Sequence, residues 1–432
     1  MDSDSLFGEI KRSRIHDADI QICLLEQDVK TIKIENSRFT GEERKQISSL
    51  VIECIYKGKE ATFRLNGRSN LDIQGAIKKT YNLAKLFGSS DNQKHFYISN
   101  KKLIQKTVIR KENFDVSSVM KSVNSIKKEK TVYSVNSFLS HQIAAFSVAN
   151  DSGSRADFQS QIAGMESEVI SRDGNEQGSG TEFSEARNIN DLNITGNLDS
   201  AVKMAKSMLN ARPAPTVYGK LLLDPKASID FVNNLFDAMN GEEILKKRSF
   251  LSKFRGKQIA SKIFNIYDLR FLGGSLYNRN FDDELVATTD KYLVKRGVFV
   301  NYLNDIYSAE KLNEKPKGNN FSLTTGGIRP VNAIIKKGKD SLLDLVGEVD
   351  KGIYLVNTGD APNMLTGDVS SMVSIGYYIE NGEIKYPVKE TLIGGNMLDM
   401  LKNIIKVGSN VKNINGVYAP PLLIDNVKIS GR

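Results

Sequence analysis

The sequence is poor in the residues that usually build metal and redox sites. It has two cysteines, Cys23 and Cys54, three histidines and no tryptophan in 432 residues. Two cysteines cannot supply the paired CxxC ligands of a zinc ribbon or knuckle, and they predict no disulfide scaffold. Each cysteine follows a strand-like pattern, so we interpret both as small apolar core residues.

The histidines, like the cysteines, indicate no metal site. His16, His95 and His141 are far apart, and no two stand at the helical spacings i, i+3 or i+4 that would let them share a zinc ion. We interpret all three as packed or surface residues without a catalytic role. The chain also has no P-loop and no G-x-S-x-G nucleophile elbow.

Long apolar runs are absent as well. The chain is 40% apolar and 26% charged, which is typical of a soluble protein that forms a core. No run approaches the roughly 18 to 20 apolar residues that a membrane-spanning helix needs. The first five residues, MDSDS, are acidic and polar, unlike a secretory signal. We therefore expect a cytoplasmic protein without a membrane span.

The formal net charge of +9 raises the question of nucleic-acid binding. The basic residues are dispersed, and the longest clusters are Lys127-Lys128 with Lys130 and the run at 246–248. Clusters this short cannot follow a phosphate backbone over several contacts. We interpret them as solvated faces and do not expect a nucleic-acid partner.

The first 88 residues predict a compact α+β unit. Apolar residues alternate between Asp19 and Glu35, which we interpret as two strands joined around Gln27-Asp28. A second strand pair follows at 49–56 and 60–65. A helix then begins near Ile73, with Asn70 or Asp72 as the N-cap.

Residues 89–216 form a predicted central segment of mixed structure. Residues 114–126 predict a helix, 132–149 a strand and 198–209 an amphipathic helix. Between them, 151–200 is either a loop-rich insertion or a set of surface strands, and the alternation at 160–171 favours strands for part of it. Pro213 and Pro215 exclude a helix and mark the next boundary.

Residues 217–432 predict a third, mostly antiparallel β domain with few helices. A buried strand at 219–223 precedes Asp224-Pro225, which begins a helix. The apolar stripe of that helix consists of Ile229, Val232, Leu235, Phe236 and Met239. Asn381-Gly382 predicts a type I′ hairpin, and a further helix is predicted at 397–405.

One acidic cluster in this domain leaves three interpretations open. Asp282, Asp283 and Glu284 could bind a divalent cation, serve as paired carboxylates, or form a solvated turn. We favour the solvated turn.

Short segments spread over nearly the whole chain resemble the TldD/PmbA family, also called modulators of DNA gyrase. Each segment is weak alone, but their common order is specific. The N-terminal segment IKIEN at 32–36 also resembles the start of that family. In chain order, the other segments are RPAPT at 212–216 with LLLDP at 221–225, SFL at 249–251 with GKQI at 256–259, FDDE at 281–284 with AT at 287–288, LTGDVS at 365–370, IENGEI at 379–384 with YPV at 386–388, and GGNM at 394–397.

The resemblance implies a branch of that family as well. In the TldD branch the helix after the D-P turn carries H-E-x-x-x-H, whose side chains bind zinc, with a cysteine near the C-terminus. Here that helix has no histidine, and residues 407–432 have no cysteine. The resemblance therefore implies a TldE/PmbA-like subunit with no catalytic residue, metal ligand or cofactor of its own.

The same resemblance implies a partner and a substrate. The partner is a TldD-like H-E-x-x-x-H paralogue that holds the zinc in a cytoplasmic heterodimer, although the isolated chain could form a homodimer. The substrates are small unfolded proteins and peptides. By family order, Asp237, Asn240, Gly241 and Ser249 mark the relic of the active-site helix. A helix that once carried ligands should turn Asp237 and Asn240 towards a cleft.

Two other functions remain open from the sequence. One is a self-sufficient metallopeptidase with an unrecognised carboxylate site. The other is a nucleic-acid or gyrase-binding module, which the family's second name raises. Metal content separates the first from the subunit hypothesis, and salt-dependent DNA affinity tests the second.

Overall fold

The computed structural model describes residues 1–67, 72–90, 96, 98, 102–110 and 115–431. Its strands form three sheets, which we call the first, second and third sheets, and helices pack against them. The predicted α+β class is confirmed. The candidate N-cap Asn70, His95 and Phe114, the first residue of the helix predicted at 114–126, lie outside the described residues.

The first sheet is built from unusually long strands. Its order is β4-β3-β2-β1-β6-β7-β5, and β8 also pairs with β7. Most strands in globular proteins have 3 to 10 residues, roughly half the length of the longest strands here. The strands are β1 (Asp19–Glu35), β2 (Arg38–Tyr56), β3 (Lys59–Asn66), β4 (Ser89–Ser90), β5 (Leu103–Gln105), β6 (Val132–Asn150), β7 (Arg155–Asp173) and β8 (Glu176–Ala186).

The prediction of two strands between Asp19 and Glu35 is wrong, because β1 runs through Gln27-Asp28 without a turn. Gln27 pairs with Ile47 of β2 on one side and with Ala144 of β6 on the other. Hydrogen bonding on both sides of the strand holds it extended. The polar side chains, which suggested a turn, are only half-buried at this point of the sheet.

The first sheet carries its helices on one face only. The alternate residues Ile20 and Ile22 of β1 pack under α1 (Ser3–Ser13) and α2 (Ile73–Phe87). Further along the same face, Leu139 and Met165 pack under helices α3 and α4. The two helices are α3 (Val116–Ile126) and α4 (Ile194–Ser207). The opposite face of the sheet is therefore left for the C-terminal half.

The structure tests the helix predicted at Ile73 and the two interpretations of residues 151–200. Asp72 caps α2, since its Oδ1 accepts a hydrogen bond of 2.8 Å from the amide of Gly75. Of the two interpretations of 151–200, strands are correct for most of it, because β7 and β8 together cover 155–173 and 176–186.

The C-terminal half contains the second and third sheets. The second sheet has the order β12-β11-β10-β13-β20-β19, and the third runs β14-β9-β21-β17-β15-β16 with β18 paired to β21. The strands are β9 (Val217–Leu223), β10 (Ile266–Asp268), β11 (Lys291–Lys295), β12 (Val298–Phe299), β13 (Ala333–Ile335), β14 (Lys351–Thr358), β15 (Asp368–Glu380), β16 (Glu383–Pro387), β17 (Leu392–Asn396), β18 (Ile404–Val407), β19 (Lys412–Ile414), β20 (Val417–Ala419) and β21 (Leu422–Ser430).

Most pairings in these two sheets are antiparallel, as predicted, although β14–β9 and β13–β20 are parallel. The hairpin at Asn381-Gly382 is confirmed, since both residues have positive φ values, 54° and 75°, as a type I′ turn requires. The helices of this half are α5 (Pro225–Ala238), α6 (Gly241–Leu245), α7 (Ile306–Lys311), α8 (Leu342–Gly347) and α9 (Met397–Lys402).

Helix α5 buries the stripe that its sequence predicts. The five apolar residues of the stripe are all at most 4% exposed and join the largest core cluster. Asp224 begins the helix by accepting a hydrogen bond from the amide of Lys226. The helix ends at Ala238, three residues before Gly241, because Asn240 turns to cap α6. Helix α9 likewise ends before the predicted residue 405, because Ile404 enters β18.

The predicted boundary at residue 88 falls within the first sheet. β1 and β6 lie on opposite sides of that boundary and pair continuously from Gln21–Asn150 to Ile34–Ser137. The segments 1–88 and 89–216 therefore share one sheet, and the three-part division of domains stays a prediction. In the described part of the chain, no helix is both long and apolar enough to cross a membrane.

Two glycines on neighbouring strands give a matched test of this packing. A Cβ atom added at Gly180 of β8 would stand 2.3 Å from the main-chain oxygen of Ala201 in α4, whereas one at Gly164 of β7 would meet Ser140 Oγ at 3.5 Å. We expect Gly180→Ala to lower the free energy of unfolding by about 1–3 kcal/mol, because the helix must move away. Gly164→Ala is the control, and a similar loss in both variants would contradict the packing.

Candidate functional site

A cleft of about 450 Å³ lies between the helix-free face of the first sheet and loops of the C-terminal half. Its floor consists of alternate residues of β6 and β7, because every second side chain of a strand points to the same face. Small side chains in both rows leave room above the sheet. The rows are Ser140, Gln142, Ala144 and Phe146 on β6, and Phe158, Ser160, Ile162 and Gly164 on β7.

The opposite wall of the cleft comes from loops of the C-terminal half. These loops are residues 276–279, residues 321–331 and the turn between β19 and β20. Arg279 is 6% exposed and lies over the ring of Phe158 with its guanidinium carbon 3.8 Å from the ring centroid. Its charge is offset by Asp283, whose Oδ1 lies 3.2 Å away. Arg279 therefore joins the wall to the floor.

A half-buried carboxylate, Glu182, ties β8 to the C-terminal half at one end of the cleft. Glu182 Oε2 accepts a hydrogen bond of 2.8 Å from Lys226 of α5, and its Oε1 pairs with Lys412 of β19. Burial alone would raise the pKa of Glu182, but the two lysine hydrogen bonds outweigh it and hold the pKa below its usual value. The glutamate is therefore held ionised between two cations.

A second carboxylate of β8, Glu185, faces the cleft itself. The Tyr277 hydroxyl donates to Glu185 Oε2 at 2.6 Å, and Asn413 Nδ2 donates to Oε1 at 2.9 Å. Burial raises the pKa of Glu185 and, together with the adjacent carboxylate, that of Tyr277. Both oxygens of Glu185 are thus engaged within the protein.

Arg329 brings to the cleft a positive charge that, among the described residues, has no carboxylate partner. Its main chain is fixed by Asn319, which accepts from the Arg329 amide at 3.0 Å and donates its own side-chain amide to the Arg329 carbonyl at 2.9 Å. Among the described residues its guanidinium makes one hydrogen bond, to the carbonyl of Asn415 at 3.3 Å, and no ion pair. Nothing in the sequence around Arg329 distinguishes it as a site residue.

Of the four relic residues predicted from the resemblance, only Asp237 is exposed. Partial burial nonetheless raises the pKa of its carboxyl, and Arg329 is near enough for its charge to oppose that rise. Asn240 is half-buried and accepts from the amide of Glu242 at 2.9 Å. Buried Gly241 donates its amide to the Leu303 carbonyl at 2.8 Å, and the Ser249 hydroxyl donates to the Ala238 carbonyl at 2.6 Å.

The acidic cluster at 282–284 is a turn, but it is not solvated. Asp282 and Asp283 are each 1% exposed. Asp282 accepts from the amides of Glu284, Val286 and Asn320 at 3.0 to 3.1 Å, which organises two loops. Burial raises the pKa of Asp282 to about 7 and that of Glu284 in the same direction. Local sequence could not predict the burial, since residues 319–324 cover the turn.

Comparison with known proteins identifies the family of this chain. A family model described as the PmbA/TldA metallopeptidase C-terminal domain matches residues 216–431, half of the chain. The chain belongs to the PmbA/TldD family, and the resemblance seen in the sequence is confirmed.

Relatives in that family match over part of their length. A metalloprotease PmbA homolog from Buchnera aphidicola subsp. Baizongia pistaciae is 29% identical over 266 residues, which cover 61% of this chain and 58% of the relative. The chain thus spans less than two thirds of that relative's length.

Solved structures match over nearly the whole chain. A Thermotoga maritima protein described as a modulator of a DNA gyrase superposes with a TM-score of 0.85 at 25% identity, over 99% of both chains. TldE from Thermococcus kodakarensis superposes with a TM-score of 0.82 at 22% identity, also over 99% of both chains. At 22% identity, the likeness to TldE shows a shared fold alone.

The metal that this family name implies does not fit the outward-facing residues of α5. The outward-facing residues of α5 include Asn233 and Asp237, neither of which is an imidazole or thiolate. The cation of Arg329 lies near Asp237 and would repel a divalent metal ion there. Across the described residues, no three His, Cys, Asp or Glu side chains stand together as a metal site.

Glu185 gives a test of the electrostatics of the cleft. Its pKa in the folded protein is raised above the ordinary 4.5, so as pH rises past that value the unfolded chain loses this proton first and stability falls. We expect Glu185→Gln to flatten that fall, because glutamine does not titrate but can still accept from Tyr277. The measurement is the unfolding free energy at about pH 5 and about pH 8.

The control for this measurement is Glu35→Gln, which changes an exposed glutamate at the end of β1. Its pH dependence should match that of the unmodified protein. A Glu185→Gln variant whose stability difference from the unmodified protein is the same at both pH values would contradict the assignment.

Proposed function

We propose that this chain is the TldE/PmbA-like, non-catalytic subunit of a two-subunit zinc metallopeptidase that cleaves small unfolded proteins and peptides in the cytoplasm. The observation that carries the proposal is the outer face of α5. Catalytic zinc needs three protein ligands and one open position for water. The exposed and half-exposed residues of α5 include no histidine and no cysteine; they are Lys226, Asp230, Phe231, Asn233, Asn234 and Asp237.

The cleft supports a role in handling peptides. Its floor is a rigid sheet, and its walls combine aromatic rings with a few polar groups, as is typical of binding sites for organic ligands. A volume of about 450 Å³ suits a few side chains of an extended peptide. In this proposal the cleft forms part of the chamber in which the partner, a TldD-like H-E-x-x-x-H paralogue, performs the cleavage.

The first prediction from this proposal concerns metal and activity of the isolated chain. Since α5 has neither imidazole nor thiolate, we expect the purified chain to hold less than about 0.1 zinc ion per molecule after dialysis and to cleave no unfolded peptide. Elemental analysis and a casein-derived peptide assay check both points. Stoichiometric zinc together with chelator-sensitive cleavage would favour a self-sufficient metallopeptidase instead.

The second prediction concerns assembly. A lasting two-subunit chamber requires an interface of at least about 1,000 Å² of buried surface, to which we expect the half from residue 217 onward to contribute most. Mixing the chain with the H-E-x-x-x-H paralogue of the same organism should give a complex that co-elutes on size exclusion and cleaves peptides. The paralogue with its motif changed to A-A-x-x-x-A is the control: it should co-elute without activity. Separate elution and unchanged activity would contradict the partnership.

A further inference from the structure

One cation of the cleft, Arg329, is not paired with a carboxylate among the described residues. Arg279 is paired with Asp283, and Lys226 and Lys412 are paired with Glu182. Arg329 has no carboxylate within ion-pair distance among the described residues. Four of its five guanidinium N–H groups are free of hydrogen bonds there, since it donates one, to the Asn415 carbonyl.

Neither Glu185 nor Asp237 forms an ion pair with Arg329. Both oxygens of Glu185 already accept hydrogen bonds, from Tyr277 and Asn413. Asp237 feels the charge of Arg329 but makes no ion pair with it. The cleft therefore presents a fixed positive charge whose main chain is anchored by Asn319 on both its donor and its acceptor side.

The surfaces around this charge are apolar and aromatic. Phe158, Phe183 and Phe321 line the cleft, and Ile162 lies between the first two on the floor. A ligand that satisfies both features has a carboxylate next to an apolar or aromatic side chain. A guanidinium suits a carboxylate, because its parallel N–H groups can donate to both oxygens.

We infer that the cleft binds a carboxylate-bearing peptide segment, with Arg329 as the partner of the carboxylate and the aromatic walls as the site of the neighbouring side chain. The carboxylate is either a free peptide C-terminus or an Asp or Glu side chain. This inference rests on the proposed peptide-handling function and gives the cleft a substrate preference of its own.

The test measures binding of four peptides to the full chain by isothermal titration calorimetry. Ac-Ala-Phe-Ala-Phe is used with a free carboxylate and as its amide, and Ac-Ala-Phe-Glu-Phe amide is compared with its Gln counterpart. We expect at least one carboxylate peptide to bind about 10- to 100-fold more tightly than its neutral match, the usual value of a hydrogen bond to a charged group. Tighter binding of the free-carboxylate peptide would identify a C-terminus as the ligand, and tighter binding of the Glu peptide would identify an acidic side chain.

Three variants locate the binding. Arg329→Gln should abolish the preference for carboxylate, and Arg38→Gln, which changes an exposed arginine of β2 outside the cleft, should leave it unchanged. Gly164→Val should weaken all four peptides, because it fills part of the cleft from the floor; the added Cβ itself meets Ser140 Oγ at an ordinary 3.5 Å. Circular dichroism confirms that each variant is folded.

Two outcomes would overturn the inference. In one, carboxylate and neutral peptides bind equally or none binds at millimolar concentration. In the other, Arg329→Gln or Gly164→Val binds as the unmodified chain does. These failures are separate from those of the proposed function, because co-elution with the paralogue and peptide cleavage by the complex are measured without reference to the cleft.

Discussion

The arrangement of the molecule depends on one ionised carboxylate held between the two halves of the chain. Glu182 stands on β8, while its two lysine partners come from α5 and β19. The three side chains are 11% to 32% exposed, so their attraction is screened less than that of a surface ion pair. The contact therefore holds α5 and the second sheet in one position against the first sheet.

A second contact fixes the cleft near its other end. Gln105 of β5 donates to the Asn278 carbonyl at 2.6 Å and accepts from the Asn280 amide at 2.8 Å, so the loop that carries Tyr277 and Arg279 is bound to the edge of the first sheet. With both ends attached, the gap between them remains open because the floor residues are small. Ser140, Ala144, Ser160 and Gly164 lie where larger side chains would close it.

Local sequence predicted those parts of this structure that local physics determines. The stripe of α5, the Asp72 cap and the Asn381-Gly382 hairpin all follow from spacing or backbone preference within a few residues. The continuity of β1 does not, because it depends on β2 and β6 pairing along both edges of the strand. The cleft was not predicted, because its residues meet through distant contacts: Tyr277 reaches Glu185 across 92 residues, and Arg329 reaches Asn415 across 86.

The relic residues also separate into one that local helical spacing predicts and others that it does not. Asp237 occupies an outward position of α5, which helical spacing predicts, whereas Gly241 and Ser249 serve the packing of the turn after the helix.

The cation that the cleft does contain differs in its chemistry from a catalytic metal. A zinc ion lowers the pKa of a bound water and so supplies a nucleophile at neutral pH. A guanidinium remains protonated, has no open coordination position and offers directed N–H groups. Arg329 can therefore attract and orient a carboxylate but cannot activate water. Because its charge is covalently part of the chain, the positive charge of the cleft does not depend on which metal is available.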